Sequence, residues 1–237
     1  FTYGDTTRAA LDTGIATLHH NPIQSVWMQD LGNFASASQP LFFQPSFSVQ
    51  HQLGMYADSS YRFQPGRTPY YNTTRPYSEL YYRLGSKQEQ IIQIQHSRNI
   101  NPYWNVTAIY RKEGSAGAYK LQRSNNDHVA ISTNYFPKGQ RFFLQGELTY
   151  NKIQQDENGG ILSYEYLYAS NYNNKRLVPV QFDERSGEKN RSTVMNYHRD
   201  LNGMLRQQYF FGRSEQRWNV DSSAKERYFY PRVGLQL

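Results

Sequence analysis

Phe143-Leu144-Gln145-Gly146-Glu147-Leu148-Thr149-Tyr150-Asn151 is the stretch whose reading decides the fold. Side chains of a strand point alternately to opposite faces. Leu144, Gly146, Leu148 and Tyr150 therefore share one face, and Phe143, Gln145, Glu147, Thr149 and Asn151 share the other. Working outward, the same script recurs. Ile92 and Ile94 alternate with Gln93 and Gln95, and Trp104, Val106, Ala108 and Tyr110 alternate with Asn105, Thr107, Ile109 and Arg111. Val129 to Tyr135, Thr193 to Arg199 and Leu205 to Gly212 read as further ribbons. Many ribbons with one apolar face and one polar face fit a sheet between lipid and water, the pattern of an antiparallel transmembrane β-barrel.

Composition narrows the choice. Aromatic residues make up 16% of the 237-residue chain, with 21 tyrosines, while hydrophobic residues reach only 38% and the mean hydropathy is strongly negative. Disordered chains are poor in aromatics, and a soluble β-sandwich core needs more Val, Ile and Leu than this chain supplies. No run approaches the roughly 18 apolar residues of a membrane-spanning helix, which leaves a barrel untouched. Without cysteine there is no disulfide framework, thiolate zinc site or thiol nucleophile. The net charge of +7 comes from Lys and Arg scattered singly among aromatics. That pattern fits a basic lumen or anionic lipid better than a nucleic-acid partner.

Residues 1–75 look irregular, interrupted by Pro22, Pro40, Pro45, Pro65 and Pro69. They are expected to form a plug or a periplasmic, partner-docking segment, with a first strand at 47–56. Residues 76–237 are expected to form the barrel strands, with long loops around 161–192. Two turns stand out. Asn158-Gly159-Gly160 calls for positive φ, and Asp200-Leu201-Asn202-Gly203 reads as a hairpin turn between 193–199 and 205–212.

Between residues 43 and 160, and at Asp30-Leu31-Gly32-Asn33 before them, the motifs are specific. They are Tyr70-Tyr71-Asn72-Thr73-Thr74-Arg75-Pro76-Tyr77, His96-Ser97-Arg98-Asn99-Ile100-Asn101-Pro102-Tyr103-Trp104-Asn105, Gly117-Ala118-Tyr119 with Gln122, and Asn158-Gly159-Gly160-Ile161. In order and spacing the chain resembles the Bacteroidetes putative porins, as does the short run Leu177-Val178-Pro179-Val180. The resemblance implies an outer-membrane β-barrel in a Gram-negative bacterium. Members of that family are longer, and this chain stops within a ribbon at Leu235-Gln236-Leu237. It is therefore expected to be an N-terminal part of a larger barrel, or the ordered part of a longer protein.

The expected lumen-facing set is Gln93, Gln95, Asn105, Thr107, Gln145, Glu147 and Thr149. The expected lipid-facing or girdle set is Ile92, Ile94, Trp104, Val106, Tyr110, Leu144, Leu148 and Tyr150. Arg98, Arg111, Lys120 and Arg123 are candidates for anion selection, each more simply read as a solvated loop charge. Arginine at position 148 is expected to impair insertion, and arginine at 145 to be tolerated.

No catalytic residues are expected, because no Gly-x-Ser-x-Gly elbow, Walker loop or dinucleotide fingerprint occurs. No metal or cofactor is expected either, since the six histidines lack ligand spacing. The expected function is passive diffusion of small polar solutes through a polar, mildly basic lumen. Two alternatives stand beside it. One is a structural barrel in an outer-membrane secretion or assembly complex with other outer-membrane proteins or lipoproteins; the other is a soluble, glycan-binding β-sandwich.

Overall fold

A computed structural model describes residues 27–43, 57–139, 141–182, 194–218 and 225–236. The expected strand at 47–56 lies outside these residues. The described chain is built from antiparallel β-structure, with short 3-10 turns and no α-helix. A two-stranded ribbon comes first: β1 (Met28–Asp30) pairs with β2 (Ser38–Pro40). Seven strands then form one meander: β3 (Tyr77–Leu84), β4 (Gln90–Asn101), β5 (Trp104–Ser115), β6 (Ser124–Tyr135), β7 (Phe142–Asp156), β8 (Met195–Trp218) and β9 (Lys225–Gln236). Each pairs with the next, and β3 and β9 are the edges of the described sheet, which is open rather than closed on itself.

The connections are unequal. At one end β4 passes to β5 through Pro102 and Tyr103, whose N–H donates to Asn101 Oδ1 at 2.9 Å. Residues 136–139, which follow β6, lie at the same end. At the other end lie residues 85–89, 116–123 and a longer excursion, described over 157–182. Gly159 and Gly160 take φ of 72° and 91°, and a Cβ on Gly159 would sit 2.8 Å from the Phe182 ring, so the glycines there are obligatory. Within the excursion Val178 and Val180 are buried, and Val180 bridges back to Ile161.

The hairpin expected at Asp200-Leu201-Asn202-Gly203 is not formed. β8 runs unbroken through it, with Thr149 opposite Asn202 and Leu148 opposite Gly203. Gly203 is absent from the glycines with positive φ. Asn-Gly favours a turn only where neighbouring strands do not claim its backbone, and here β7 pairs with every residue from Met195 to Tyr209. The far part of β8 carries β9, which pairs from Gln208 to Trp218 across a bulge at Phe211/Gly212.

Polarity is distributed oppositely to that of an ordinary soluble domain. Among the described residues, buried polar and charged residues outnumber buried apolar ones more than two to one. Ile94, Leu148, Leu201, Leu205 and Phe211 are exposed, whereas Asn126, His128, Thr149 and Asn151 are fully buried. A large contiguous exposed apolar face marks a surface made for something other than water.

Candidate functional site

The two faces of the sheet can be read row by row from the register. On the uncovered face, Leu80, Ile94, Tyr110, Val129, Tyr150 and Leu201 lie side by side across six strands. Next to them runs a row of Ala108, Ile131, Leu148 and Gly203, and then Val106, Thr133, Gly146 and Leu205. The apolar rows are bounded on both sides. Towards the long connections stands a charged row, Lys112, Asp127, Lys152 and Arg199. Lys112 Nζ lies 3.0 Å from Asp127 Oδ1, and Lys152 Nζ lies 4.0 Å from Oδ2. Towards the short connections stand aromatics. Trp104 and Tyr135 are opposite each other, and the Phe142 ring meets Tyr135 at 6.4 Å and Tyr209 at 4.8 Å. Trp104 also donates from Nε1 to Thr133 Oγ1 at 2.8 Å, an indole with one polar handle satisfied.

The opposite face is polar and covered. Rows of Gln93, Arg111, His128, Asn151 and Asp200, and of Ser97, Thr107, Ser132, Glu147 and Met204, lie under the chain that precedes β3. Residues 33–35 cover the end near the long connections. There Ser124 donates to the Phe34 carbonyl at 2.7 Å, and Asn126 donates to that of Ala35 at 2.8 Å. Residues 57–76 then run along the face to the start of β3.

Asn151 holds this strap in register. Its Nδ2 donates to the Phe63 carbonyl at 2.9 Å and to Asp200 Oδ1 at 2.7 Å, while its Oδ1 accepts from the Phe63 N–H at 2.9 Å. An amide oxygen only accepts, so the His128 Nδ1, 2.8 Å from that same oxygen, carries the proton. Arg62 pairs with Asp200, and Arg111 donates to the Tyr61 carbonyl while stacking 4.5 Å over the Phe63 ring. Further along, Gly66 donates to Glu147 Oε2 at 2.7 Å, Ser132 donates to the Pro69 carbonyl at 3.2 Å and Thr73 donates to Asn99 Oδ1 at 3.2 Å. Burial, with the bond that Tyr61 donates to Asp30, pushes its hydroxyl pKa far above the usual value. It is a fixed donor at any physiological pH.

The structure puts Gln93, Gln95, Asn105, Thr107, Gln145, Glu147 and Thr149 together on the covered face. It puts Ile92, Ile94, Trp104, Val106, Tyr110, Leu144, Leu148 and Tyr150 together on the uncovered one. The four basic candidates are not brought together. Arg111 is buried, with Nε 2.7 Å from Glu113 Oε1, so its charge is neutralised beneath the strap. Arg98 lies on the uncovered face, opposite Val106. Lys120 and Arg123 belong to the 116–123 connection.

That connection helps enclose a cavity of about 600 Å³ with Gln88, Gln90, Arg176 and Leu177. Its shape depends on Gly117 at φ +78°, where an added Cβ would come 2.8 Å from both Gln122 Cβ and the Gln122 carbonyl. Gly117→Ala is expected to destabilise the protein by about 1–3 kcal/mol, read as a lower melting temperature in detergent. Gly139→Ala, with open space around it, serves as the control.

Sequence reasoning passed over Asp200, taken as a turn residue, and the loop cation Arg176. It also passed over the strap residues Tyr61, Arg62, Phe63 and Gly66. Alternation marks a face without naming what lies on it.

A family model described as putative porin matches residues 2–231. No curated protein and no solved structure matches the chain.

Proposed function

This chain belongs to the putative porin family, and on that premise we propose that it is an outer-membrane, porin-like protein whose polar sheet face lines a passage for small polar solutes. Residues 57–76 would lie in that passage as a plug. The observation that carries this reading is the reversal of polarity: the apolar rows are uncovered and bordered by charge and aromatics, and the polar rows are buried. On β7 the uncovered residues from Tyr150 to Phe142 span about eight residue steps, or about 26 Å along the strand. Tilted by about 40°, this run covers about 20 Å of membrane thickness, most of the roughly 25 Å apolar band of such barrels. A soluble sandwich would bury these apolar rows against a second sheet and leave the polar ones wet.

The orientation follows from the connections. Barrels of this class place short turns in the periplasm and long loops outside. Residues 85–89, 116–123 and 157–182 would then face the exterior, and the strap would run from the outer mouth to the periplasmic end. Size exclusion and the polar side chains left beside the strap would set what passes. We do not assign catalysis to the barrel.

A second reading is favoured by the strap itself. A passage filled by the chain's own residues also suits a structural subunit of an outer-membrane complex. Single-channel recording of the reconstituted protein separates the two. Discrete steps that grow when the strap is loosened support a plugged channel. Silence from inserted protein, with the strap both intact and loosened, would move the assignment to the structural subunit.

A further inference from the structure

His128 lies fully buried beneath the strap, its ring meeting that of Phe63 edge-on at 6.1 Å. Its proton sits on Nδ1, because Asn151 Oδ1, 2.8 Å away, can only accept. Nε2 is therefore a bare acceptor, buried, and it meets no hydrogen-bond partner among the described residues. An unpartnered neutral nitrogen is a modest cost. A second proton would be a far larger one, since it buries both an N–H donor and a positive charge where no described group accepts them.

The surrounding charges offer no compensation. On β5, Arg111 stands directly opposite His128, and its Nε is 2.7 Å from Glu113 Oε1. From the strap, Arg62 pairs with Asp200, and Tyr61 donates to Asp30 of β1. The neighbour on β7 is the neutral Asn151. Beyond it on β8 lie Asp200 and His198, whose Nε2 is 3.5 Å from Asp200 Oδ2. Asp127 belongs to the uncovered face with Lys112 and Lys152. An imidazolium at position 128 therefore adds a cation beside Arg111 and Arg62, whose carboxylates are already taken. Lifting the strap relieves this at once, because Nε2 then meets water and Arg62 leaves with Phe63.

We propose that His128 makes the strap an acid-released latch, seated while the imidazole is neutral and released when Nε2 takes up a proton. The sign follows from linkage: a proton bound by the released form alone drives release as pH falls. The seat is fully held above the range in which a free imidazole titrates. An imidazole that titrates ordinarily in the released form, and not in the seated one, shifts the balance about thirtyfold between pH 7.5 and 5.0. The inference deepens the plug reading by naming what regulates it, and it rests on that reading only for the change in current.

Hydrogen–deuterium exchange at the Phe63 N–H, which donates to Asn151, reads the seat directly even when the released form is rare. The full chain is used in detergent, with rates corrected for the intrinsic pH dependence of exchange. Protection at Phe63 is expected to fall about thirtyfold from pH 7.5 to 5.0. His128→Gln, whose amide still donates to Asn151 and does not titrate, should flatten the profile to within about threefold. His198→Gln should leave the response in place. A flat wild-type profile, a response that survives in His128→Gln or one lost in His198→Gln would each overturn the proposal. The wild-type profile needs no variant, so a misfolded His128→Gln does not shelter the latch. Conductance of the same preparation keeps the two readings apart. A Phe63 response without a change in current sinks the plug reading alone. A current that follows pH while Phe63 stays protected sinks the latch alone.

Discussion

Asn151→Ala is expected to raise the time-averaged conductance of reconstituted protein about a hundredfold, up to the limit of a fully open passage. The side chain satisfies both backbone groups of Phe63 and steadies Asp200, the partner of Arg62. Alanine would leave the Phe63 N–H and carbonyl facing a sheet that offers them nothing. An unmet buried polar group costs about 1–3 kcal/mol. Two such groups displace the equilibrium between seated and released strap by about 3 kcal/mol, or roughly two powers of ten. The released form exposes Arg62 and Arg67 to trypsin, so faster cleavage at those sites provides a readout that does not depend on current. Ile131→Val, on the opposite face, should change neither. If Asn151→Ala opened the strap to trypsin while the conductance stayed at the wild-type level, residues 57–76 would not be the barrier. The strap would then be a structural filler and not a plug.

The sequence carried the faces but not the strap, for a physical reason. A strand's alternation is a local property of consecutive residues, so Gln145, Glu147 and Thr149 could be separated from Leu144, Leu148 and Tyr150 without knowledge of their neighbours. The same holds for Gly159 and Gly160, whose positive φ is required within a few residues of chain. Asn202-Gly203 carried an equally local signal and it misled, because β7 supplies partners from some fifty residues away. Residues 61–73 are still less legible. Their backbone bonds go to side chains on β4, β5, β6 and β7, and nothing periodic in the strap announces those contacts. The cavity beside 116–123 is intermediate: Lys120 and Arg123 stand out as basic residues, but Arg176 reaches it only through the folding of residues 157–182.

Leu148→Arg should abolish most assembly into lipid vesicles while leaving the polar network untouched. Leu148 is 47% exposed, lies between Ile131 and Gly203 and is two rows from the charged line at Lys152. An arginine on the lipid face costs about 2–4 kcal/mol at the bilayer midplane and close to nothing near its edges. The expected loss in the folded fraction is therefore about thirtyfold to a thousandfold. Arginine at position 152 replaces one cation with another in the bordering row and should be neutral. A soluble sheet predicts the reverse for position 148, since an exposed leucine replaced by arginine improves its contact with water. The comparison expected from sequence, arginine at 145, does not serve as a tolerated control. Gln145 is buried and its Oε1 accepts from Arg206 at 3.4 Å, so a new guanidinium there meets one already present. Both arginine variants should thus assemble poorly, for different reasons. The Leu148 penalty should shrink in thin bilayers where mid-membrane depth is lost, and the Gln145 penalty should ease when Arg206 is replaced by glutamine. Rescue of Leu148→Arg by Arg206→Gln would place position 148 on the covered face and refute the assignment of faces.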